Sequence, residues 1–178
     1  MRLFVALDIP ADIRQRLQVL GGGVPGARWT DPEVYHLTLR FIGEVDRPTA
    51  EEINAGFSAL AVPRFDLQLA GVGQFGTGRR ARTLWAGAEP TPELVHLARK
   101  IDRAVVAVDF APEDRNFTPH VTIARLRDAP MERVMRFVSE NALFRAPPFT
   151  VDHFTLYESR QGNDRPVYVP LAEYPLTD

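Results

Sequence analysis

The sequence contains no cysteine. That removes disulfide staples, thiolate metal sites and cysteine nucleophiles together. It also lacks any apolar run near the roughly 18 residues that a membrane helix needs; Leu3–Leu7 and Ala104–Val108 are among the longest. No membrane association is expected. Met1-Arg2-Leu3-Phe4 enters a strand-like run at once, so no signal peptide is expected either, and the reading places the protein in the cytoplasm. A basic excess is missing as well. The 21 basic residues face 23 acidic ones, for a net charge of −2. Such a balance argues against a protein that coats nucleic acid along its length, because each phosphate contact needs a cation. Lysine is almost absent: Lys100 stands alone among the arginines. Arginine grips single phosphates and carboxylates with a planar fork, although genomic base composition is the plainer source of the bias.

What is present is core-forming material. The chain has 178 residues, 45% of them hydrophobic, which suits one domain over 1–178 or two small lobes sharing a core. Strand-like runs occupy Arg2–Ile9, Tyr35–Ile42, Phe65–Val72, Arg82–Ala88, His120–Leu126, Phe149–Tyr157 and Pro166–Leu171. Helical patterns occupy Ala11–Leu20, Thr49–Leu60, Thr91–Val108 and Pro130–Ala142. Pro10, Pro48, Pro92 and Pro130 stand near the helix starts, where proline is tolerated. Gly21-Gly22-Gly23 closes the first helix.

This order repeats. Leu3-Phe4 matches Leu84-Trp85 at an offset of 81, His36-Leu37-Thr38-Leu39 matches His120-Val121-Thr122-Ile123 at 84, and Phe65 matches Phe149 at 84. A duplicated unit predicts an α+β fold with two pseudo-symmetric lobes, roughly 1–78 and 79–178, whose chain ends can cross between them. Antiparallel sheets would line a central cleft, with helices outside.

Each half carries His-x-Thr-x within a strand. A period of two puts His36 and Thr38 on one face and Leu37 and Leu39 on the other. His120 and Thr122 sit alike over Val121 and Ile123. His153-Phe154-Thr155-Leu156 also fits the pattern, but its counterpart 84 residues earlier is Leu69, so the repeat selects the first two. His153 is read as a structural histidine. Two imidazoles can divide proton removal and proton donation near neutral pH, and two hydroxyls can hold phosphate oxygens. The set suits in-line attack on a phosphodiester. Zinc is the rival for paired histidines; no HExxH spacing and no cysteine support it. No metal and no cofactor are expected.

His36-Leu37-Thr38-Leu39 and His120-Val121-Thr122-Ile123 resemble the twin HxTx signatures of the 2H phosphoesterases. Within them the likeness is greatest to the bacterial branch acting on RNA 2′,3′-cyclic phosphate ends. It covers essentially the whole chain, through Arg2–Pro10, Phe41–Val45, Gly71–Phe75, Leu84-Trp85, Pro119 and Phe154–Ser159. The resemblance implies metal-free opening of the cyclic phosphate to a 2′-phosphate end. His36 would be the proton donor and His120 the proton acceptor, with Thr38, Thr122 and Arg125 binding the phosphate. With a 5′-hydroxyl RNA end in place of water, the same groups would form a 2′-5′ bond without ATP. The partner is then RNA; no protein partner is indicated. Two alternatives stay open: another 2H activity on 2′-5′ oligoadenylates or small cyclic phosphates, and a non-catalytic module that binds RNA ends.

Strict alternation creates a difficulty for Arg125. It predicts that Arg125 faces away from His120 and Thr122, unless the strand ends or bulges, whereas Arg40 shares the face of His36 and Thr38. Arg40 is read as a solvated strand-end arginine. Gly71–Gly76 fits GxGxxG, but Thr77-Gly78-Arg79-Arg80 follows as a turn, so no dinucleotide site is expected. Arg79, Arg80 and Arg82 read as a solvated hairpin, with an RNA handhold as the alternative. Phe4 reads as core, with base stacking as its alternative. His96 reads as a surface residue.

Overall fold

The structure, a computed structural model, describes residues 1–77 and 80–178. The strands are β1 (Arg2–Asp8), β2 (Ala27–Trp29), β3 (His36–Glu44), β4 (Phe65–Leu67), β5 (Leu69–Phe75), β6 (Thr83–Ala88), β7 (His120–Leu126), β8 (Phe149–Val151), β9 (His153–Arg160) and β10 (Val167–Pro175). The helices are α1 (Ala11–Val19), α2 (Arg47–Ser58), α3 (Pro92–Val106) and α4 (Met131–Glu140). Pro10 and Pro130 stand just before α1 and α4, and Pro48 and Pro92 fall in the first turns of α2 and α3. Asp46 and Thr91 cap α2 and α3 through the backbone N–H groups of Thr49 and Leu94. Leu94, Leu97, Ile101 and Val105 recur at helical spacing on α3 and are fully buried. Burying each contributes about 1.5–3 kcal/mol.

An antiparallel sheet runs β10-β9-β1-β3-β7-β6-β5, and β2 pairs with β7 outside that path. Its two halves join at one residue pair, Leu37 opposite Val121. A separate ribbon pairs β4 with β8 and sets Asp66 opposite Thr150. Both pairs lie 84 residues apart in sequence, so the pseudo-twofold axis runs through them. The runs 65–72 and 149–157 each divide into two strands, at Gln68 and Asp152, again 84 apart. There the chain leaves the ribbon and enters the large sheet.

The sheet does not respect the boundary near residue 78. β5, from the first repeat, pairs with β6; β9 and β10, from the second, extend from β1. Each repeat therefore places its last strand in the other's half of the sheet. The offset of 81 also needs correction. Val5 and Ala6 face Arg40 and Thr38, while Leu84 and Trp85 face Ala124 and Thr122. The true equivalents of Leu84 and Trp85 are Val5 and Ala6, two residues beyond the apparent match. Composition alone aligned Leu-Phe with Leu-Trp.

Candidate active site

Leu37, Leu39, Val121 and Ile123 are buried, while His36, Thr38, His120 and Thr122 are half-buried on the other face. The β3–β7 junction brings the two motifs together. Extending its register by one residue sets His36 opposite Thr122 and Thr38 opposite His120. The pseudo-twofold thus relates the four side chains across one seam.

Both imidazoles are held alike. His36 donates Nδ1–H to the Val34 carbonyl at 2.9 Å, and His120 donates Nδ1–H to the Thr118 carbonyl at 2.7 Å. A carbonyl can only accept, so Nδ1 carries the proton and Nε2 is the nitrogen left to take or give one in both rings. Phe4 and Tyr168 lie 5.0 and 5.2 Å from the His36 ring. Phe75 and Trp85 lie 4.8 and 6.0 Å from His120. Gly73 makes room for that second cradle: a Cβ there would stand 2.3 Å from the Trp85 ring. Phe4 is buried, a floor under His36 rather than a free stacking surface.

A bulge resolves the Arg125 difficulty. Along β6, Leu84 faces Ala124 but Trp85 faces Thr122, so Ile123 is an extra residue in β7. Alternation slips by one, Ile123 and Ala124 both turn inward, and exposed Arg125 joins the face of His120 and Thr122. β3 carries the same bulge at Leu39, where Val5 faces Arg40 and Ala6 faces Thr38. Here it has the opposite consequence for the arginine. Arg40 turns to the buried face, contrary to the expectation of a solvated residue beside His36. Its Nε lies 3.1 Å from Asp102, its Nη1 lies 3.4 Å from Glu113, and its Nη2 donates to the Ala111 carbonyl at 2.5 Å. Phe41, 56% exposed, takes the place on the open face that Arg125 takes in the other repeat.

Burial pushes the His36 pKa below its ordinary value; the Val34 carbonyl and Asp8 oppose this, and the charges of His120 and Arg125 reinforce it. Burial likewise lowers His120, against the Thr118 carbonyl. If His36 must be protonated and His120 neutral, a bell-shaped profile of kcat/KM follows, because both groups titrate in the free enzyme. With both values below the ordinary 6.5, the optimum should fall on the acid side of pH 6.5. Initial rates on a cyclic phosphate from about pH 4.5 to about pH 9, a span that brackets histidine titration, check this. An alkaline optimum would contradict it.

Several neighbours of His36 escaped sequence reasoning. A cavity of about 300 Å³ opens beside it, lined by Asp8, Arg14, Glu33, Tyr157 and Tyr168 among others. Asp8 accepts hydrogen bonds from Thr155 at 2.8 Å, from His153 Nε2 at 2.8 Å and from the Tyr157 hydroxyl. His153 therefore lies on the same face of the sheet without belonging to the repeat. Asp8, His153 and Glu173 bring potential metal-ligand atoms within 4.8 Å of one another. Both ring nitrogens of His153 already bond carboxylates, those of Asp8 and Asp152, which is ion-pair chemistry. Among the remaining candidates, Arg80, Arg82 and His96 are exposed, and Arg79 lies outside the described residues. Gly71–Phe75 are strand β5, not a turn opening a helix, so no dinucleotide loop exists there. No helix among the described residues is long and apolar enough to cross a membrane.

Comparison with known proteins follows the same lines. The model of the 2′-5′ RNA ligase superfamily matches residues 9–163. The chain is 32% identical over 162 residues to an RNA 2′,3′-cyclic phosphodiesterase of Aeropyrum pernix, covering 90% of this chain and 92% of that one. It is 31% identical over 184 residues to the RNA 2′,3′-cyclic phosphodiesterase of Escherichia coli K12, covering 99% and 97%. The crystal structure of E. coli LigT complexed with 3′-AMP superposes with a TM-score of 0.81 at 29% identity, over 99% of this chain and 98% of that one. With its paired motifs, its strand-exchanged antiparallel sheet and these relatives, the chain belongs to the 2′-5′ RNA ligase superfamily of 2H phosphoesterases.

Proposed function

We propose that this protein opens RNA 2′,3′-cyclic phosphate ends to 2′-phosphate ends by acid–base catalysis between His36 and His120. The observation that carries the reading is the seam at Leu37 and Val121, which sets both His-x-Thr pairs on one face, with Arg125 turned onto it by the Ile123 bulge. The names of the curated relatives point the same way.

His120 Nε2 takes a proton from water as the water oxygen attacks phosphorus. The P–O3′ bond breaks opposite, and His36 Nε2 protonates the leaving oxygen. Thr38 and Thr122 hydroxyls and the Arg125 guanidinium hold the non-bridging oxygens, where charge accumulates in the transition state. The leaving oxygen belongs to the substrate's own ribose, so the terminal nucleoside lies on the His36 side, where the cavity opens. With a 5′-hydroxyl in place of water, the histidines keep these tasks and a 2′-5′ bond forms as P–O3′ breaks, without ATP. They exchange tasks only when the 3′-hydroxyl attacks that bond and restores the cyclic phosphate. No step calls for a metal ion.

Product analysis tests the reading. An oligoribonucleotide ending in a 2′,3′-cyclic phosphate should yield a 2′-phosphate end, at a rate unchanged by EDTA. A 3′-phosphate product, or binding without turnover, would overturn it. Strong inhibition by EDTA would return the histidines to metal binding. Faster turnover of 2′-5′ oligoadenylate or a small cyclic phosphate than of the RNA end would move the activity elsewhere in the superfamily.

A further inference from the structure

The two histidines are nearly equivalent, yet catalysis needs one to give a proton and the other to take one. Their Nδ1 bonds correspond, and each ring lies between two aromatic side chains, though these come from non-equivalent positions. Their cross-strand neighbours do not. On β1, Asp8 lies opposite His36; on β6, at the corresponding register, Gly87 lies opposite His120. Directly opposed residues share a face, with Cβ atoms about 5 Å apart. One histidine thus faces a carboxylate, and the other faces a residue without a side chain.

Asp8 is fixed firmly. Thr155, His153 and Tyr157 all direct donors at its carboxylate. His153 also bonds Asp152 through Nδ1 at 2.6 Å. An imidazole between two carboxylates satisfies both only as the doubly protonated cation. Nothing of this kind is needed for strand pairing, and it carries a negative charge to the rim of the cavity that His36 shares.

We propose that Asp8 is a positioning residue that assigns the proton-donor role to His36, and that His153 holds its carboxylate in place as a cation. The inference rests on the reading of His36 and His120 as the acid–base pair.

The electrostatics agree. Burial disfavours the Asp8 charge, but the hydrogen bonds from Tyr157, His153 and Thr155 outweigh it and hold the carboxyl below its ordinary range. Burial also opposes the His153 charge, yet the bonds to Asp152 and Asp8 raise its pKa. Asp8 in turn favours the protonated form of His36 against burial, whereas no charged group among the described residues contributes to the shift at His120. His120 and Arg125 of β7 oppose Asp8 at His36; a bound phosphodiester anion offsets them. The other titratable groups facing the cavity are Arg14 of α1, Glu33 and Tyr35 ahead of β3, Tyr157 of β9 and Tyr168 of β10. Glu173 of β10 adds a negative charge beside His153.

The test is a titration of the histidine ring resonances by NMR, run beside the pH profile of kcat/KM on a 2′,3′-cyclic phosphate. Asp8→Asn keeps the side chain's size and removes its charge. It should move the His36 titration down by about one pH unit and carry the alkaline limb with it. His120 and the acidic limb should stay in place. His153→Gln removes the compensating cation and should move His36 upward, by about half a unit. Opposite signs at two residues of one cluster are not what a merely structural role produces. An unmoved His36 in Asp8→Asn, equal shifts at both histidines, or a rate loss with no limb movement would overturn the proposal. If Asp8→Asn does not fold, the upward shift in His153→Gln decides, and its absence refutes. Lack of turnover in the unaltered protein would instead remove the acid–base reading, a result distinct from an unmoved titration in an active enzyme.

Discussion

Alanine at His36 or at His120 should lower the rate of cyclic phosphate opening by about 10²–10⁴-fold, the range of a general acid or base. The double substitution should cost little more than either single one, because an acid and a base acting in one transition state fail together. A substrate with a nitrophenolate leaving group separates the roles. That leaving group needs no proton, so most of the His36→Ala loss should vanish while the His120→Ala loss persists. Reversed behaviour would exchange acid and base. Equal losses on both substrates would remove the assignment. Thermal melts supply the control: both rings are half-buried on the open face, and their removal should leave the fold in place.

Arg40 and Arg125 should fail in opposite ways. Arg40 reaches Asp102 and Glu113 from the buried face, with its side chain 10% exposed. Arg40→Ala strands two partly buried carboxylates and empties the space between β3 and α3. The expected loss is about 2–4 kcal/mol, or roughly 5–15 °C in Tm for a chain of this size, with kcat little changed at temperatures where the protein remains folded. Arg125 is exposed and, among the described residues, bonds no protein group that its removal would strand. Arg125→Ala should leave Tm within about 2 °C and lower kcat/KM by about 10–100-fold, the worth of one charge-assisted contact to phosphate. Lysine at 125 should recover part of that, as a point charge without the fork. Melting curves and initial rates on the two variants check both claims. A kinetic defect in Arg40→Ala, or a melting defect in Arg125→Ala, would show that the bulge had been misread.

These two arginines mark where sequence reasoning stopped. The elements and the twin motifs were legible because alternation and proline placement are local signals. His36 and His120 could be chosen over His153 because the repeat supplies a symmetry test. The bulges at Leu39 and Ile123 were not legible. Each inserts one apolar residue among others, so nothing in composition marks it, yet it reverses which side chains downstream face the site. Arg40 was therefore assigned to the wrong face, and the orientation of Arg125 stayed open. Asp8 escaped for another reason. Its partners Thr155, His153 and Tyr157 lie some 145 residues away in sequence and meet it only through β1–β9 pairing. The three-residue strand β2 is too short to show a period.

The exchange of terminal strands has a consequence for how two unlike histidines can arise. The pattern is that of a strand-swapped dimer: each unit completes its partner, and the axis runs between them. Two identical chains in that arrangement would be bound to carry the same neighbour beside both imidazoles. A charge that favours donation at one would favour it equally at the other, and no proton inventory could distinguish them. Joining the units in one polypeptide lifts that obligation. Asp8 can then stand where the second unit has Gly87, and Phe41 where it has Arg125. The backbone keeps the symmetry that sets both rings on one face across the seam, while the side chains are free to break it.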